Sequence, residues 1–162
     1  MVAKDEFRHC MSEFATGVTV VTTLDDAGQV HGMSANSFTS VCLEPPLVLI
    51  CVGHSTNTFG FVEKNKRFGV NVLSAHQEDI GRYFARRPED RHDDVDYEYT
   101  MSPGGVPMLE GTLVSFECHV VNSHVHGDHT VYVAEVKAVE QGKPNLPLLF
   151  FQSKWFANGA IW

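Results

Sequence analysis

The sequence predicts a mainly β protein, folded as a barrel with roughly two or three short helices beside it. Three observations predict this fold. Runs rich in valine and threonine, such as "ATGVTVVTT", recur along the chain. Residues 112–120 alternate between apolar and polar side chains, as a strand with one wet face does. Turn signals separate about six or seven such runs at short intervals. A chain of 162 residues fits one domain with a sizeable core, so we assign 1–162 to a single domain.

The first half begins with a helix and continues as strands. Phe7, Cys10, Met11 and Phe14 recur at intervals of three and four residues, which predicts one apolar helix face. "ATGVTVVTT" predicts a strand and "DDAGQ" a hairpin turn. "HGMSANSFTSVCL" is small and polar at first and β-prone afterwards, until the prolines of "EPP" interrupt it. "LVLICVG" is apolar throughout and predicts a buried strand.

Two helices are expected in the middle of the chain. The first runs from about residue 55 to 65, with Ser55 or Thr56 as its N-cap. The second begins at Ser74, where Gln77 completes a capping box. "RFGVNVL" predicts a strand between them, whereas "RRPEDRHDDVD" predicts an exposed, mobile loop. The second half reads as three strands, "TLVSFECHVVN", "HTVYVAEVKAVE" and "NLPLLFFQSKWF".

Charge and composition narrow the class of protein. A formal net charge of -8 argues against nucleic acid binding, because phosphate backbones are bound by clustered lysine and arginine. No apolar run approaches the roughly 20 residues that span a bilayer, and the N-terminus lacks the apolar core of a signal peptide. We therefore expect a cytoplasmic protein without membrane contact. The four cysteines form no C-x-x-C pair, and we expect them to be buried free thiols.

A cluster of histidines in "NSHVHGDHTVYV" raises the question of a metal site. His119, His124, His126 and His129 lie close together in the sequence, but no spacing among them makes their side chains converge on one ion. We therefore predict no metal. "HGDH" suits a tight turn, with Gly127 at positive φ and the Asp128 side chain capping its own turn. From these residues alone, a plain hairpin with solvent-facing histidines remains an equal alternative.

A run of small residues indicates a ligand. Gly, Ser, Ala, Asn and Thr crowd residues 32–40, and small side chains let a flat ligand approach the backbone, where amide groups reach polar ring edges. A polar sheet edge would give the same composition. The segment alone therefore does not decide between the two.

The order of these pieces closely resembles the flavin reductase family, the small partners of two-component flavin-dependent monooxygenases. The matching stretches are "FATGVTVVTT", "HGMSANSFTSVCLEPPLVLICV", "HSTNTFGFVEKNKRFGVNVLSAHQEDIGRYFA" and "GDHTVYVAEV". They extend from about residue 7 to 152. The resemblance implies a split β-barrel of the Greek-key, FMN-binding type, in a homodimer with the flavin near the subunit interface.

The resemblance also implies cofactors, a partner and site residues. The flavin is FMN or FAD, the reductant is NADH or NADPH, and an oxygenase component receives the reduced flavin. The flavin-binding positions fall on Met33, Ser34, Ala35, Asn36, Ser37, Thr39, Ser40, Ser55, Thr56, Ala85 and Arg86. The nicotinamide side falls on Gly127, Asp128, His129 and Tyr132, with His129 the catalytic candidate.

The chemistry of hydride transfer agrees with the absence of a catalytic triad or paired carboxylates in the sequence. Hydride transfer between nicotinamide and flavin is performed by the cofactors, so the protein need only position the two rings and tune their electronics. A catalytic triad or paired carboxylates are therefore not required. His54 departs from the family pattern, in which a longer cation often precedes Ser55. Phe151, Lys154 and Trp155 are open between nucleotide contacts and core or interface packing.

Two other functions compete with a reductase. A flavin-binding carrier or sensor on the same barrel would share "MSANS" but would not need "GDH". An oxidase for a phosphorylated vitamin would need an additional cluster of arginine and lysine for a second phosphate. Because fold does not fix function, the choice depends on the site residues.

Overall fold

The structure, a computed structural model, describes residues 2–92 and 94–157. Its helices are α1 (Lys4–Ser12), α2 (Asn57–Asn65) and α3 (Glu78–Ala85). Its strands are β1 (Thr16–Gly17), β2 (Thr19–Leu24), β3 (Val30–Ala35), β4 (Phe38–Cys42), β5 (Leu47–Gly53), β6 (Arg67–Val72), β7 (Tyr99–Met101), β8 (Pro107–Leu109), β9 (Val114–His126), β10 (His129–Gln141), β11 (Leu149–Phe151) and β12 (Lys154–Phe156). The protein is therefore mainly β with a few helices, as the sequence predicts.

A seven-stranded antiparallel sheet forms the body of the fold, in the order β3-β2-β6-β9-β10-β5-β4. Its two edge strands, β3 and β4, are consecutive in the chain, and only Asn36 and Ser37 separate them. The sheet must therefore curl until its edges approach each other. Between the described residues no ladder pairs β3 with β4, so the closed barrel expected from the turn spacing is not confirmed.

Two smaller sheets complete the fold, β1-β11-β12 and the hairpin β7-β8. "HGMSANSFTSVCL" forms the two edge strands β3 and β4. "NLPLLFFQSKWF", predicted as one strand, forms the hairpin β11-β12 instead. Gln152 and Ser153 adopt positive φ angles of 47° and 59° and make the hairpin turn. The first run divides because β3 pairs with β2 and β4 pairs with β5, whereas the second run folds back on itself at Gln152 and Ser153.

The core has two parts on opposite sides of the sheet's first strands. One fills the interior of the curled sheet with Val21, Ile50, Phe68 and Tyr132 among its fully buried members. The other packs α3 and the C-terminal hairpin against β2 through Val20, Leu73, Phe84 and Leu148. We expected β5 to be buried on both faces, but only alternate residues of this strand are buried. Its second face is half-exposed because little of the chain covers it.

Asn71 on β6 joins four segments inside the core. The side chain is fully buried, and its Nδ2 donates to the Val20 carbonyl and to Thr22 Oγ1, both at 2.9 Å. Its Oδ1 accepts from the Leu109 N–H and from Ser115 Oγ, both at 2.8 Å. The two donors and two acceptors of the amide are therefore all satisfied. This residue links β2, β6, β8 and the start of β9.

The helix caps confirm the local sequence signals. Thr56 caps α2, because its Oγ1 accepts the Phe59 N–H at 3.3 Å. Ser74 and Gln77 form the expected capping box. A single 3₁₀ turn follows it, so α3 begins at Glu78 rather than directly after Ser74.

α1 forms as expected, but the chain leaves its apolar face uncovered. The side chains of Phe7, Met11 and Phe14 are 61%, 52% and 69% exposed, and no residue of α1 is buried. The expectation of four buried thiols was also partly wrong, since Cys10 and Cys42 are exposed and only Cys118 is buried. No helix among the described residues is long and apolar enough to cross a membrane.

Candidate functional site

Three distant segments of the chain meet at the corner between β3 and β4. They enclose a cavity of about 320 Å³ beside the open sheet edges. The lining residues are Met33, Ser34, Ala35, Asn36 and Ser37 from the corner, Cys51, Gly53, Ser55 and Thr56 from the end of β5 and the start of α2, and Asp128 and His129 from the β9-β10 turn. We call this space the ring cavity. The structure thus brings together most of the residues that the sequence predicts for the site.

A second and larger cavity adjoins the ring cavity and shares part of its wall. It has a volume of about 550 Å³, and we call it the tail cleft. The residues common to both are Met33, Ser34, Ser55 and Thr56. The tail cleft continues to His31, Asn57, Thr58 and the segment from Phe84 to Glu89, together with Arg91. Ala85 and Arg86, both predicted from the sequence, lie here rather than in the ring cavity.

The β9-β10 turn places His129 at the mouth of the ring cavity. Gly127 has a φ of 60° at the first central position of the two-residue turn, as a tight hairpin requires. Asp128 does not cap the turn as expected. Its Oδ1 lies 2.7 Å from His129 Nδ1, and this hydrogen bond holds the pKa of the Asp128 carboxyl below its usual value. The pair orients the imidazole with Nε2 away from the turn.

Short contacts tie this turn to β5 and to the start of α2. A Cβ built on Gly53 would lie 3.4 Å from His129 Nε2, so the imidazole packs against the β5 backbone. The His54 N–H donates to the Asp128 carbonyl at 2.9 Å, and His54 Nε2 lies 2.9 Å from Thr130 Oγ1. His54 therefore connects the turn that carries His129 to the loop that carries Ser55.

The hydroxyl groups of the site differ in how much of their hydrogen-bonding capacity is already used. Ser34 Oγ donates to the Gly81 carbonyl at 2.6 Å, and Ser37 Oγ donates to the Cys51 carbonyl at 2.9 Å. Thr56 Oγ1 donates to the Gly53 carbonyl at 2.8 Å. Ser55 is exposed, and no described residue accepts from its hydroxyl. Of these four groups, Ser55 is the one whose donor is available to a ligand.

His31 was missed by sequence reasoning. Its side chain is half-buried in the wall of the tail cleft, and its Nε2 lies 2.9 Å from Thr58 Oγ1. Burial lowers the pKa of His31 most, and the charge of Arg91 lowers it further, whereas Asp25 opposes both. The imidazole is therefore neutral at neutral pH. Only the contact with Thr58 on a distant helix reveals its position, and the sequence carries no signal for that contact.

Arg91 holds the loop that follows α3. Its Nη2 donates to the carbonyls of Gly32 at 2.9 Å, Arg86 at 3.0 Å and Phe84 at 3.2 Å. Its guanidinium also lies 5.2 Å from the centroid of the Phe84 ring. The predicted loop is indeed mostly exposed, but this side chain anchors it to β3. The loop thereby forms one wall of the tail cleft.

Four of the predicted site residues do not line these two cavities, and one of them is Gly127 of the β9-β10 turn. Tyr132 is fully buried in the core, where its Oη donates to Glu63 Oε1 at 2.8 Å. It lies three residues from His129 on a strand, so the two side chains point to opposite faces. Ser40 is exposed on β4, and Thr39 lines a separate cavity of about 330 Å³ with Phe14.

The remaining histidines do not form a cluster. Within residues 2–92 and 94–157, no three His, Cys, Asp or Glu side chains converge to hold a metal ion. His119 Nε2 pairs with Glu117 Oε1 at 2.6 Å, away from the hairpin turn. His124 and His126 face solvent, with ring centroids 6.5 Å apart.

Comparison with known proteins identifies the family of this chain. A family model described as a flavin reductase like domain matches residues 11–159. The chain belongs to the flavin reductase family. This match confirms the resemblance inferred from the sequence motifs. It also confirms the prediction that the chain is an oxidoreductase of this class.

Relatives and solved structures agree with the family. The NADH-dependent flavin reductase of a Rhodococcus species is 38% identical over 146 residues, which cover 89% of this chain and 80% of that protein. The reductase subunit HsaB of a flavin-dependent monooxygenase from Rhodococcus jostii is 36% identical over 149 residues, 92% of this chain and 75% of the subunit. The solved structure of flavin reductase PheA2 is 38% identical, with a TM-score of 0.86 over 96% of this chain and 97% of that one.

Not all relatives have the same length. A probable flavin reductase of Rhizobium meliloti is 41% identical over 138 residues, but this chain spans only 44% of its length.

The ring cavity has the chemistry that a flavin requires. β3 is an edge strand, so the backbone groups on its outer side are not paired with another strand and can reach the polar edge of a flat ring. Small side chains at Ser34, Ala35 and Ser37 leave that approach open. At the other end of the cavity, Ser55 and the start of α2 offer donors to a phosphate. The described residues therefore fit the group that the family implies.

Proposed function

We propose that this chain transfers a hydride from NADH to a flavin held between the ring cavity and the tail cleft, and that it supplies the reduced flavin to an oxygenase component. One observation carries the proposal. The corner at residues 33–37, the loop at Ser55 and Thr56, and the turn at Asp128 and His129 line a single cavity although they are far apart in sequence. All three segments belong to stretches that carry the family resemblance.

The residues of the chain bind and orient, and they do not react. The flavin, when bound, supplies the ring that accepts the hydride. Ser34 to Ser37 line the ring cavity, and N–H groups on the unpaired side of this segment would stabilise negative charge that develops at the edge of such a ring. His129, held by Asp128, presents Nε2 to a nicotinamide carboxamide. Ser55 donates to the flavin phosphate.

We further propose that the whole of 1–162 acts as one domain on a split barrel, in which the flavin lies where the sheet fails to close. The link of only two residues between β3 and β4 supports this, since it keeps the two open edges near each other. A flavin at the corner would contact both edges. NADH is preferred over NADPH in this proposal, in line with the names of two relatives, the NADH-dependent flavin reductase and the FMN reductase (NADH) SmoA of Agrobacterium fabrum.

A homodimer is part of the proposal, and α1 supports it. Phe7, Met11 and Phe14 expose more than half of their surface, although their spacing is that of a helix face that packs against something. A second copy of the chain would cover this face. Analytical ultracentrifugation of wild type and of Phe7→Lys tests it. We expect a dimer that the substitution weakens, and a monomeric wild type would contradict it.

The experiment for the proposed activity is steady-state oxidation of NADH and NADPH, followed at the nicotinamide absorption band, with FMN, FAD or no flavin added. We expect rapid NADH oxidation that depends on added flavin. A flavin-loaded protein that oxidises neither nucleotide would contradict the proposal. In that case a flavin carrier or sensor would be the better account of the same barrel.

A further inference from the structure

His54 holds the chain on both sides of His129. Its backbone N–H donates to the Asp128 carbonyl at 2.9 Å, and its Nε2 lies 2.9 Å from Thr130 Oγ1. Asp128 and Thr130 are the residues directly before and after His129 in the sequence. A single residue therefore fixes the strand on either side of the imidazole that the proposed function assigns to the nucleotide.

His54 also lies between the two cofactor sides of the ring cavity. Gly53, the residue before it, packs against the His129 imidazole, and Ser55, the residue after it, lines the ring cavity with an exposed side chain. The side chain of His54 itself lines neither the ring cavity nor the tail cleft. It turns instead to Thr130, which is 2% exposed. His54 is thus placed to set the separation of the two sides without contacting a ligand.

The hydrogen bonds beyond Thr130 decide which nitrogen of His54 carries a proton. Tyr132 Oη donates to Glu63 Oε1 at 2.8 Å, and Thr130 hydrogen-bonds to the Tyr132 side chain. The hydrogen bond from Lys66 lowers the pKa of Glu63 most, and the bond from Tyr132 lowers it further, whereas burial opposes both. The carboxylate is therefore ionised at neutral pH and only accepts. Tyr132 must then accept from Thr130, and Thr130 must accept from a proton on His54 Nε2.

This chain of hydrogen bonds is anchored in the body of the fold. Tyr132 is fully buried, and Glu63 lies near the C-terminal end of α2. At the other end of α2, the ring of His54 packs against Phe59, with the two ring centroids 4.7 Å apart. Side chains of β10 therefore hold α2 near both of its ends. The orientation of His54 is fixed by packing and by directional hydrogen bonds, which a precisely placed binding site requires.

We propose that His54 is a positioning residue of the reductase, and that its contact with Thr130 holds the turn of His129 at the distance from Ser55 that NADH requires. The inference rests on the proposed reductase function and adds to it a residue that contacts neither cofactor. It also gives a role to the histidine that stands before Ser55 where the resemblance predicts a longer cation. Tyr132, expected in the site, acts through this chain instead.

The test is steady-state NADH oxidation with saturating flavin, together with flavin titration. The proteins are wild type, His54→Ala, Thr130→Val, the variant with both substitutions, and the control Thr23→Val. Thr23 is also 2% exposed and accepts from Asn65 Nδ2 of α2 at 3.0 Å, but it lies on β2. Each single variant should raise the KM for NADH about fivefold, whereas kcat and the flavin dissociation constant should change less than about twofold. Thr23→Val should keep the KM of wild type.

The double variant and two conservative variants separate positioning from general damage. Since both single substitutions remove the same contact, the double variant should raise the KM about fivefold rather than about 25-fold. His54→Gln keeps an N–H donor at the same reach, and Thr130→Ser keeps the hydroxyl, so both should stay within about twofold of wild type. An unchanged KM in both single variants would overturn the inference. Multiplying effects in the double variant, or a Thr23→Val variant with an equal rise in KM, would do the same.

Hydrogen exchange of the cofactor-free protein gives a readout that does not depend on activity. His54→Ala and Thr130→Val should speed amide exchange in residues 127–131 about fivefold, and Thr23→Val should not. Equal exchange of this turn in all the proteins would overturn the inference. If wild type oxidises NADH and only the KM of the variants fails to change, the role of His54 fails alone. If wild type does not oxidise NADH with either flavin, the reductase proposal fails with it.

Discussion

Replacement of Asn71 by alanine should destabilise the protein strongly. The substitution removes four hydrogen bonds, each between 2.8 and 2.9 Å, from a residue with no exposed surface. A net contribution of about 0.5 to 1.5 kcal/mol per bond gives a loss of roughly 4 kcal/mol. The Leu109 N–H and the Val20 carbonyl are then left in the core without these partners, which is the main cause of the loss. That loss is a large share of the roughly 5 to 15 kcal/mol by which domains are stable.

Urea unfolding, followed by tryptophan fluorescence, measures this change in the free energy of unfolding. Asn122→Ala is the matched control, because Asn122 is exposed on β9 and, among residues 2–92 and 94–157, its side chain accepts only from the neighbouring Ser123 N–H. We expect the control to change the free energy by less than about 0.5 kcal/mol. A loss below about 1 kcal/mol for Asn71→Ala, at an unchanged denaturant dependence, would refute the reasoning.

Four further predictions concern the site and its walls. His129→Ala should raise the KM for NADH about 10-fold and leave flavin affinity nearly unchanged, and unaltered kinetics would remove His129 from the site. Ser55→Ala should weaken flavin binding about 10-fold by fluorescence titration, since one charge-assisted hydrogen bond is lost; a riboflavin control without phosphate should show no effect. Gly32→Ala should lower stability by about 1 to 3 kcal/mol in urea, because its Cβ would lie 2.6 Å from the Phe84 ring. The pKa of His31 is lower in the folded protein than its ordinary value of 6.5. The unfolded chain therefore binds the proton more readily, and wild type should lose stability relative to His31→Gln as pH falls below that value. Parallel melting curves of the two proteins at pH 5 and pH 7 would contradict this.

Local signals in the sequence predicted local structure well. The caps at Thr56 and Ser74 and the positive φ at Gly127 depend on residues within a few positions of each other, and the structure has all three. The motifs around Ser34 and His129 also predicted two walls of the ring cavity. Helix caps and tight turns depend on residues that are neighbours in the sequence, so a single sequence is enough to predict them.

Features that depend on distant contacts could not be predicted in the same way. Tyr132 was assigned to the site from its place in a motif, although the two-residue period of a strand puts it on the opposite face from His129. Arg91 was placed in a mobile loop because nothing nearby in sequence shows that it reaches the Gly32 carbonyl. His31 and the uncovered face of α1 were missed for the same reason. For Tyr132, Arg91 and His31 the deciding neighbour lies on another element of the chain.

The most direct test of the central claim is to mix flavin-loaded protein with NADH in the absence of oxygen and to follow the absorption of the oxidised flavin. The account predicts that the flavin bleaches in a single turnover, and that His129→Ala needs more NADH to reach the same rate. A flavin that remains oxidised at saturating NADH would contradict a reductase built on this cavity.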